Sequence, residues 1–397
     1  MGRMCGFVGY ISKTDGAPFS DAAGVLAHAA SAIRHRGPDD GGTWVAGGGL
    51  VGLGFRRLAI VDLSEHGHQP MASCDGRYVI AFNGEIYNFK ALRAQLDGER
   101  PPAWQGHSDT EVLLEMIRRH GVSETLARAD GMFAFALWDT VDQTLTLARD
   151  RFGEKPLYYG WSDDAFVFGS ELKALKALPG FKTELDRDAL ALFFRYRYVP
   201  GARSIYRAYH KLEAGSILTL KAGAVATRCY WDPVTEARQA FANPFQGARE
   251  EALDEVARLF EASVARRLEA DVPLGAFLSG GIDSSLAVAY AQQASTRPVN
   301  TFTIGFAEQH FNEAPFAKAV AARLGTNHSE IEVSQQDALA VVGTLAAMYD
   351  EPFADPSQLP TAVLCAKARE HVTVALAGDG GDRKRGGDGE RGARAGR

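Results

Sequence analysis

Apolar residues follow two different rhythms along this chain, and the change between them divides the sequence into two parts. In the first part, short runs rich in β-branched and aromatic residues are separated by glycines, which predicts strands at 43–46, 50–62 and 77–83. A helix is predicted over 21–33, and Ser108 is placed to cap a second helix. The apolar residues that define the helices are Val25, Leu26, Ala29 and Ile33 in the first, and Val112, Leu113, Met116 and Ile117 in the second.

The second part alternates strands with helices. After an amphipathic helix at 250–268, strands are predicted at 274–278, 299–306, 329–333 and 372–377. The helices between them are predicted at 286–291, 314–324, 336–348 and 358–369. This alternation is typical of an α/β doubly wound fold with a parallel sheet. Residues 233–247, which lack periodicity and contain Asn-Pro, are interpreted as the linker between the two parts.

Length and composition narrow the class of protein. A chain of 397 residues is too long for one ordinary core and predicts two domains, while 46% apolar and 23% charged residues are typical of a soluble globular protein. A net charge of −6 argues against a nucleic-acid partner, and the absence of a long apolar run or signal-peptide pattern argues against a membrane partner. The four cysteines are scattered, which predicts neither a disulfide framework nor a zinc site and fits reduced thiols in the cytoplasm.

Cys5 is the first candidate nucleophile, because it follows Met4 and opens a short apolar run. If Met4 is the initiator and is removed, the α-amine of Cys5 can take the proton of its own thiol, and no separate histidine base is needed. The alternative is a buried cysteine in a strand, which is usually inert. Residues 1–3 precede Met4 and would block the amine, so we hypothesise that translation begins at Met4 or that these residues are trimmed.

Several later residues offer chemistry, each with a plainer alternative. Asn83-Gly84 ends a strand and is either a turn or a pair of donors for an oxyanion. Asp109 begins a helix and either interacts with its dipole or presents a carboxylate to an amine. Residues 47–52 match the dinucleotide pattern G-x-G-x-x-G, but a strand follows instead of a helix, so a hairpin turn is predicted.

The order of these residues along the chain favours the functional alternative for each of them. Cys5, Arg57, Asn-Gly-Glu at 83–85 and Ser-Asp at 108–109, together with Gly-His-Gln-Pro at 67–70 and Arg-Asp-Arg-Phe-Gly at 149–153, closely resemble the class II glutamine amidotransferase domain. The resemblance covers residues 5 to about 198 and implies an α+β N-terminal-nucleophile fold, an αββα sandwich of two antiparallel sheets between helix layers. It implies that Cys5 attacks glutamine and that Asn83 and Gly84 hold the oxyanion. It also implies that Arg57 binds the α-carboxylate of glutamine, and that Glu85 and Asp109 bind its α-ammonium.

The loop at 279–285, Ser-Gly-Gly-Ile-Asp-Ser-Ser, lies where a strand meets a helix, which is where such sheets bind phosphates. Asp283 can hold Mg²⁺, and the loop is not a Walker A sequence. It resembles the pyrophosphate-releasing loop of ATP pyrophosphatases, and residues 349–357 and 377–382 resemble the synthetase domain of the glutamine-hydrolysing asparagine synthase family. By that resemblance Asp283 and Asp382 hold Mg²⁺, and the expected ATP-binding residues are Leu278, Ser279, Gly280, Gly281, Asp283, Ser284, Ser285, Ile304, Ala377 and Gly378.

Together the two resemblances predict an enzyme that uses glutamine, aspartate and ATP. Aspartate would be activated as aspartyl-AMP and attacked by neutral ammonia released from glutamine, which the family conducts through an internal path. The predicted organisation is an amidotransferase domain at 5–200, connecting strands and linker at 201–248, a partial synthetase domain at 249–382 and a disordered tail at 383–397. The tail has no large apolar residue, and we hypothesise that the reading frame was lost near residue 382.

Two alternatives stay open at this point. A related amidotransferase would amidate another carboxylate, and a truncated product would retain only glutaminase activity or no catalysis. A homodimer is also compatible with the sequence.

Overall fold

A computed structural model of the chain describes residues 4–306 and 312–378. It divides into two compact units. Of the described residues, the first unit contains 4–246 and 345–355, and the second contains 247–306, 312–344 and 356–378. Asp382, the predicted disordered tail and the proposed loss of reading frame lie outside the described residues.

The first unit contains twelve strands and six helices among its residues up to 246. The strands are β1 (Gly6–Ser12), β2 (Asp40–Ala46), β3 (Val51–Arg57), β4 (Met71–Ala72), β5 (Tyr78–Ile86), β6 (Gly131–Asp139), β7 (Thr144–Arg149), β8 (Tyr158–Trp161), β9 (Ala165–Gly169), β10 (Tyr209–Lys211), β11 (Ser216–Lys221) and β12 (Ala224–Cys229). The helices are α1 (Ala22–Ser31), α2 (Phe89–Glu99), α3 (Asp109–Arg128), α4 (Leu172–Lys176), α5 (Arg187–Tyr196) and α6 (Pro233–Ala242).

These elements form a four-layer sandwich. One antiparallel sheet has the strand order β10-β8-β9-β1-β3-β2, and the other has the order β12-β11-β7-β6-β5-β4. An apolar cluster that includes Phe7, Phe55, Ala81 and Trp138 fills the space between the sheets. A second cluster packs α2 and α3 on the outer face of β5 and β6, and a third packs α1 and α4 on the outer face of β1 and β9. The predicted αββα arrangement is confirmed.

Local signals in the sequence explain where several of these elements begin and end. The side chain of Asp21 accepts a hydrogen bond from Gly24 N–H at the start of α1, and Ser108 Oγ accepts one from Glu111 N–H at the start of α3. The glycines at 47–49 form a short 3₁₀ turn that connects β2 to its antiparallel partner β3. The prediction that this dinucleotide-like pattern is a hairpin turn is therefore correct.

The predicted linker at 233–247 contains a helix that was not predicted, α6 at Pro233–Ala242. Its cap residue Asp232 accepts a hydrogen bond from Thr235 N–H at 2.8 Å, and proline stands at the start of the helix. Its apolar residues Val234, Ala237 and Phe241 are spaced as on one helix face, but no residue of α6 is buried. Residues 201–229, predicted as connecting strands, supply β10 to one sheet and β11 and β12 to the other.

The second part of the chain adds α7 (Arg249–Arg267), β13 (Leu274–Phe277), α8 (Ile282–Ala294), β14 (Asn300–Phe306), α9 (Ala314–Leu324), β15 (Asn327–Val333), α10 (Gln335–Val342), α11 (Leu345–Met348), α12 (Gln358–Ala368) and β16 (Val374–Leu376). The four strands form a parallel sheet in the order β15-β14-β13-β16, which confirms the predicted doubly wound α/β unit. The single helix predicted at 336–348 is wrong, because the chain leaves the helix at Gly343 and α11 belongs to the first unit. Helix α8 begins at Ile282, four residues before the predicted start.

Residues Leu345–Asp355, which include α11, pack on the first unit although both flanking segments of the chain belong to the second. We call this segment the strap. The Glu351 carboxylate accepts hydrogen bonds from Ile205 N–H at 2.8 Å and Tyr158 O–H at 3.0 Å, and it pairs with Lys211 Nζ at 3.0 Å. A half-buried acid with three partners fixes the strap to the sandwich.

Candidate functional site

Strand alternation directs four predicted site residues into the space between the two sheets. In β5, Val79 and Ala81 belong to the cluster between the sheets, so Asn83 and Glu85, which continue the same alternation, face the same layer. The corresponding face of β3 carries Arg57, because Val51, Leu53 and Phe55 of that strand line the same cluster. Cys5 packs against this cluster at the start of β1. The two sheets thus bring together Cys5, Arg57, Asn83 and Glu85.

The Cys5 sulfur is held against the segment that follows β3. Sγ donates to the Leu58 carbonyl at 3.5 Å, and Leu58 N–H donates to Sγ at 3.4 Å. Burial raises the pKa of the Cys5 thiol to about 11, although the Leu58 hydrogen bond and the charges of Lys155 and Arg57 act in the opposite direction. With Met4 attached the sulfur is therefore a protonated thiol at neutral pH, and it needs a base to become a nucleophile.

Asn83 is fully buried, and neither its side-chain nitrogen nor its side-chain oxygen has a hydrogen-bond partner among the described residues. A buried amide without partners costs free energy of about 1–3 kcal/mol, so such groups are rare unless a ligand satisfies them. The amide lies in the layer that also contains Cys5. This geometry suits a hydrogen-bond donor to the oxygen of a reacting carbonyl group.

Gly84 supplies a second donor through its backbone. Its partner in β6, Phe133, donates its N–H to Asp150 Oδ2 and accepts from Asp150 N–H, so the Gly84 N–H is directed away from β6. On the same edge of β5, Phe82 N–H donates to Gln69 Oε1 at 2.6 Å and Ile86 N–H donates to Asp109 Oδ2 at 2.8 Å. The Gly84 N–H lies between them, beyond the end of the short strand β4.

Glycine is required at position 84 by close packing. A Cβ added there would collide with the Met132 carbonyl and with Phe133. The sequence alternative of a plain Asn-Gly turn is wrong, because both residues lie inside β5, which continues to Ile86.

The Arg57 guanidinium is buried and anchored to the loop after β3. It donates to the Ser64 carbonyl at 2.9 Å and to the carbonyl of Asp62, and a Cβ at Gly67 would overlap its Nη2. These contacts fix the plane of the guanidinium beside Cys5, whose pKa it lowers. A fixed guanidinium is suited to bidentate binding of a carboxylate.

Asp109 and Glu85 differ in their surroundings. Burial raises the pKa of Asp109 to about 6, against the hydrogen bond from Ile86 N–H. Asp109 is also close enough to Cys5 to raise the pKa of that thiol. Glu85 is partly exposed, and its charge acts on Lys155. Both carboxylates therefore contribute negative charge near the nucleophile, which suits an ammonium group.

Two cations near Cys5 were missed by the sequence analysis. Arg36 Nε donates to the Cys5 carbonyl at 2.8 Å, and the Arg36 carbonyl accepts from Met4 N–H at 2.9 Å. The buried Lys155 Nζ lies 3.0 Å from Met4 Sδ, and burial lowers its pKa. The signals were the His-Arg-Gly-Pro loop at 35–38 and the turn at 149–155, but nothing in their spacing showed that they meet residue 5.

The second unit has a cavity of about 630 Å³ at the carboxyl ends of its strands. The sheet order places β14 on one side of β13 and β16 on the other, so the strand order switches sides at β13, beside the edge where this cavity lies. Of the residues predicted to bind ATP, all except Gly280 and Ser285 line the cavity: Leu278, Ser279, Gly281, Asp283, Ser284, Ile304, Ala377 and Gly378.

Hydrogen bonds within the loop organise it before any ligand binds. Ser284 Oγ accepts from Ser279 N–H at 3.2 Å, lies 2.9 Å from Ser279 Oγ and contacts the Gly281 carbonyl at 3.2 Å. Gly280 has φ +80°, and a Cβ there would press on Phe316, which explains why it packs behind the loop and does not line the cavity. A Cβ on Gly378 would lie 2.9 Å from Ser284 N, so glycine permits β16 to approach the start of α8.

The donor set of this cavity suits phosphate oxygens and one hard cation. The first N–H groups of α8 have no partner within the helix, and Asp283 lies in its first turn. Mg²⁺ is commonly held by one or two carboxylates together with substrate phosphates, and Asp283 provides one of them. Within 4–306 and 312–378, no group of three candidate metal-binding side chains occurs, and Asp382 lies outside these ranges.

Comparison with known proteins defines the class. A model of the glutamine amidotransferase domain family matches residues 4–231, and a model of the asparagine synthase family matches residues 255–394. The chain is thus an amidotransferase domain followed by an asparagine synthase domain, as the motifs predicted.

Relatives that are similar over most of this chain identify its family. A Methanocaldococcus jannaschii protein named as asparagine synthetase (glutamine-hydrolysing) 2 is 35% identical over 90% of this chain and 71% of its own length. A Mycobacterium tuberculosis relative with the same family name is 39% identical, and Bacillus subtilis asparagine synthetase (glutamine-hydrolysing) 1 is 37% identical, each over 97% of this chain. The chain belongs to the glutamine-hydrolysing asparagine synthetase family. It spans 60% of the length of the mycobacterial relative and 59% of the B. subtilis relative.

Among solved structures, the glutamine phosphoribosylpyrophosphate amidotransferase of B. subtilis in complex with ADP and GMP is similar over 85% of this chain and 70% of that chain. The TM-score is 0.42 and the identity is 16%. No helix within the described ranges is both long and apolar enough to cross a membrane.

Proposed function

We propose that the chain hydrolyses glutamine at Cys5 and uses the ammonia to convert aspartate to asparagine, with ATP activating aspartate as aspartyl-AMP. The observation that carries the first half is the buried, unpartnered Asn83 amide in the same layer as Cys5. The proposed synthesis of asparagine is supported by the cavity at the topological switch point of the parallel sheet and by the family to which the chain belongs.

The first step is attack on the glutamine side chain. The α-amine of Cys5 accepts the thiol proton, and the thiolate forms a bond to the carboxamide carbon. The carbonyl oxygen becomes an oxyanion that accepts from Asn83 Nδ2 and Gly84 N–H. When the tetrahedral intermediate collapses, the carbon–nitrogen bond breaks and the nitrogen takes the proton from the α-ammonium, so neutral ammonia leaves. Water then cleaves the thioester to give glutamate and the free thiol.

Charged groups around Cys5 hold the rest of the substrate. Arg57 binds the α-carboxylate, and Glu85 with Asp109 binds the α-ammonium. Because Asp109 has a pKa of about 6, it is ionised at neutral pH and becomes neutral in mild acid. Substrate binding should therefore weaken as the pH falls through about 6.

This chemistry requires a free amine on Cys5, which means removal of the residues before it. In the structure Met4 N–H donates to the Arg36 carbonyl, and Met4 Sδ contacts Lys155. Removal of Met4 would place the new α-amine near both groups. A nearby Lys155 cation would repel a proton on that amine and so favour its basic, neutral form.

In the second unit, the carboxylate of aspartate attacks the α-phosphorus of ATP, and pyrophosphate leaves. Ammonia then displaces AMP from the aspartyl carbonyl to give asparagine. The α8 N-terminus and the loop at 279–285 bind phosphate oxygens, while Leu278, Ile304 and Ala377 contact the nucleotide. Mg²⁺ would be held by Asp283 and, by resemblance, Asp382, and would neutralise the charge of the leaving pyrophosphate. A homodimer and a cytoplasmic location stay predictions.

The test separates the two halves of the proposal. Protein of established N-terminal mass is assayed for glutamate from glutamine, and for asparagine from aspartate, ATP and either glutamine or ammonium chloride. We expect Cys5→Ala to abolish both glutamate formation and glutamine-dependent synthesis, and to retain ammonium-dependent synthesis. Formation of glutamate without asparagine or pyrophosphate would contradict the proposed synthesis of asparagine. Pyrophosphate release with a different acceptor would identify a related amidotransferase. Absence of glutamate would contradict the proposed glutamine hydrolysis.

A further inference from the structure

A line of charged side chains, two of them buried, connects the strap to the backbone of Cys5. Lys173 Nζ lies 3.1 Å from Asp350 Oδ1 and 2.6 Å from Glu171 Oε2. Glu171 Oε1 accepts from Arg36 Nη1 at 2.7 Å, and Arg36 Nε donates to the Cys5 carbonyl at 2.8 Å. The charges alternate in sign from the strap to the residue that carries the nucleophile. All of these residues belong to the first unit.

The central members of this line have little contact with solvent. The side chains of Arg36 and Glu171 are 3% and 6% exposed, whereas those of Asp350 and Lys173 are 9% and 23% exposed. Burial acts to raise the pKa of Glu171, but its bonds to His35, Arg36 and Lys173 prevail and lower it to about 2. Buried charges of this kind are held strongly by their partners, and removal of one partner leaves the next uncompensated.

Few polar contacts orient the Arg36 guanidinium. Its Nη2 is buried and has no hydrogen-bond partner among the described residues, so Glu171 and the Cys5 carbonyl are the contacts that orient its guanidinium. Arg36 also packs against Gly6, where an added Cβ would lie 3.0 Å from Arg36 Cδ. A shift of Arg36 would therefore move both Cys5 and the start of β1.

We propose that Asp350 and Lys173 are positioning residues for the glutaminase reaction, acting on Cys5 through Glu171 and Arg36. The proposal rests on the function proposed above, because Cys5 must be the nucleophile. It explains why a strap whose flanking residues belong to the second unit is packed on the first. The nucleophile and its amine are held in register only when the strap is seated, and misplacement by about 1 Å can cost as much as 10²-fold in rate.

The test compares Asp350→Asn and Lys173→Met with a control that touches the same strap. Lys211→Met removes the ion pair to Glu351, which lies outside the line of charges, and retains the backbone anchor at Ile205. We expect kcat for glutamine hydrolysis to fall about three- to tenfold in Asp350→Asn and Lys173→Met, with KM changed less than about twofold. Lys173→Arg, which keeps the cation, should recover most of the loss. Lys211→Met should leave kcat near the wild-type value.

A second measurement does not depend on activity. Alkylation of Cys5 by iodoacetamide, followed by peptide mapping, reports how well the sulfur is held, and we expect it to be about threefold faster in Asp350→Asn. Equal losses of kcat in Asp350→Asn and Lys211→Met, or unchanged alkylation of Cys5 in Asp350→Asn, would overturn the proposal. If the wild-type protein hydrolyses no glutamine, the proposed function fails, and the alkylation rates alone decide the positioning role.

Discussion

The two candidate sites of this chain are built on opposite physical principles. Around Cys5, the functional groups are buried side chains, and burial shifts the pKa values of Cys5, Asp109 and Lys155 away from their ordinary ranges. In the second unit, the cavity is lined by a loop of small residues and by the start of α8, whose first N–H groups have no partner within the helix.

The difference has a consequence for stability. A site of buried, incompletely paired side chains costs the fold free energy, so disabling substitutions there should often stabilise the protein. A backbone site costs little, because helix N-termini already present free N–H groups. Substitutions of side chains in the second unit should therefore change ligand binding without the gain in stability expected at the first site.

The largest expected effect comes from the N-terminus, which acts on the first site alone. Protein that retains Met1–Met4 has an amide nitrogen on Cys5, and this nitrogen cannot accept the thiol proton. We expect its kcat for glutamine hydrolysis to be about 10²–10⁴-fold below that of protein beginning at Cys5. Intact mass and ammonia release measure this, and ATP binding by the two forms is the control. Equal activity with Met4 attached would contradict the mechanism.

Asn83→Ala is expected to lower kcat for glutamine hydrolysis by about 10²–10³-fold with little change in KM. Because the Asn83 amide is buried without a partner among the described residues, the same substitution should not reduce the melting temperature and can raise it. Asn243→Ala, at the exposed end of α6, is the control for kcat. A lower melting temperature with unchanged kcat would show that Asn83 is a structural residue.

The fold was largely predictable because its signals are local. Alternation in β1, β3 and β5, the Ser108 cap and the strand–helix rhythm after Pro273 are each encoded within a few residues. Helix α6 was missed because Pro233 and the Asn-Pro at 243–244, which favour loops, stand at its two ends. The break at Gly343 was missed because apolar residues continue on both sides of it.

The candidate site was predictable only where a motif carries its residues. Cys5, Arg57 and Asn83 stand in short segments with a recognisable order. Arg36 and Lys155 reach the same place from loops at distant positions, and the strap reaches Lys173 across more than 170 residues of sequence. Such contacts depend on how the sheets stack and where the strap docks, which residue spacing does not encode.

Asp109→Asn tests whether the buried carboxylate of the first site lowers the stability of the fold. The folded-state pKa of Asp109, about 6, lies above the ordinary value of 3.8, so the protonated form favours folding. The stability that a proton contributes is full below about pH 4 and is lost as the pH rises through about 6. At pH 7 the neutral amide of the Asp109→Asn variant should therefore stabilise the fold by about 2–3 kcal/mol, while the KM for glutamine rises about tenfold.

Urea unfolding at pH 4 and pH 7 measures this effect, and the gain in stability should be smaller at pH 4. The matched variant Asp283→Asn, in the second unit, should leave the KM for glutamine unchanged and weaken binding of MgATP. If Asp109→Asn destabilises the protein at pH 7, the hydrogen bond to Ile86 N–H outweighs the cost of the buried charge.

The smallest expected effect comes from two neighbouring serines of the second unit. Ser284 Oγ joins Ser279 and Gly281 within the loop, so Ser284→Ala should cost about 1 kcal/mol of stability and weaken ATP binding about fivefold. Ser285 Oγ is buried and has no hydrogen-bond partner among the described residues, so Ser285→Ala should not reduce stability. Because Ser285 does not line the cavity, Ser285→Ala should also leave ATP affinity unchanged, measured by calorimetry beside thermal unfolding. A loss of stability in Ser285→Ala equal to that in Ser284→Ala would show that both hydroxyls serve the loop, and that this site also depends on its side chains.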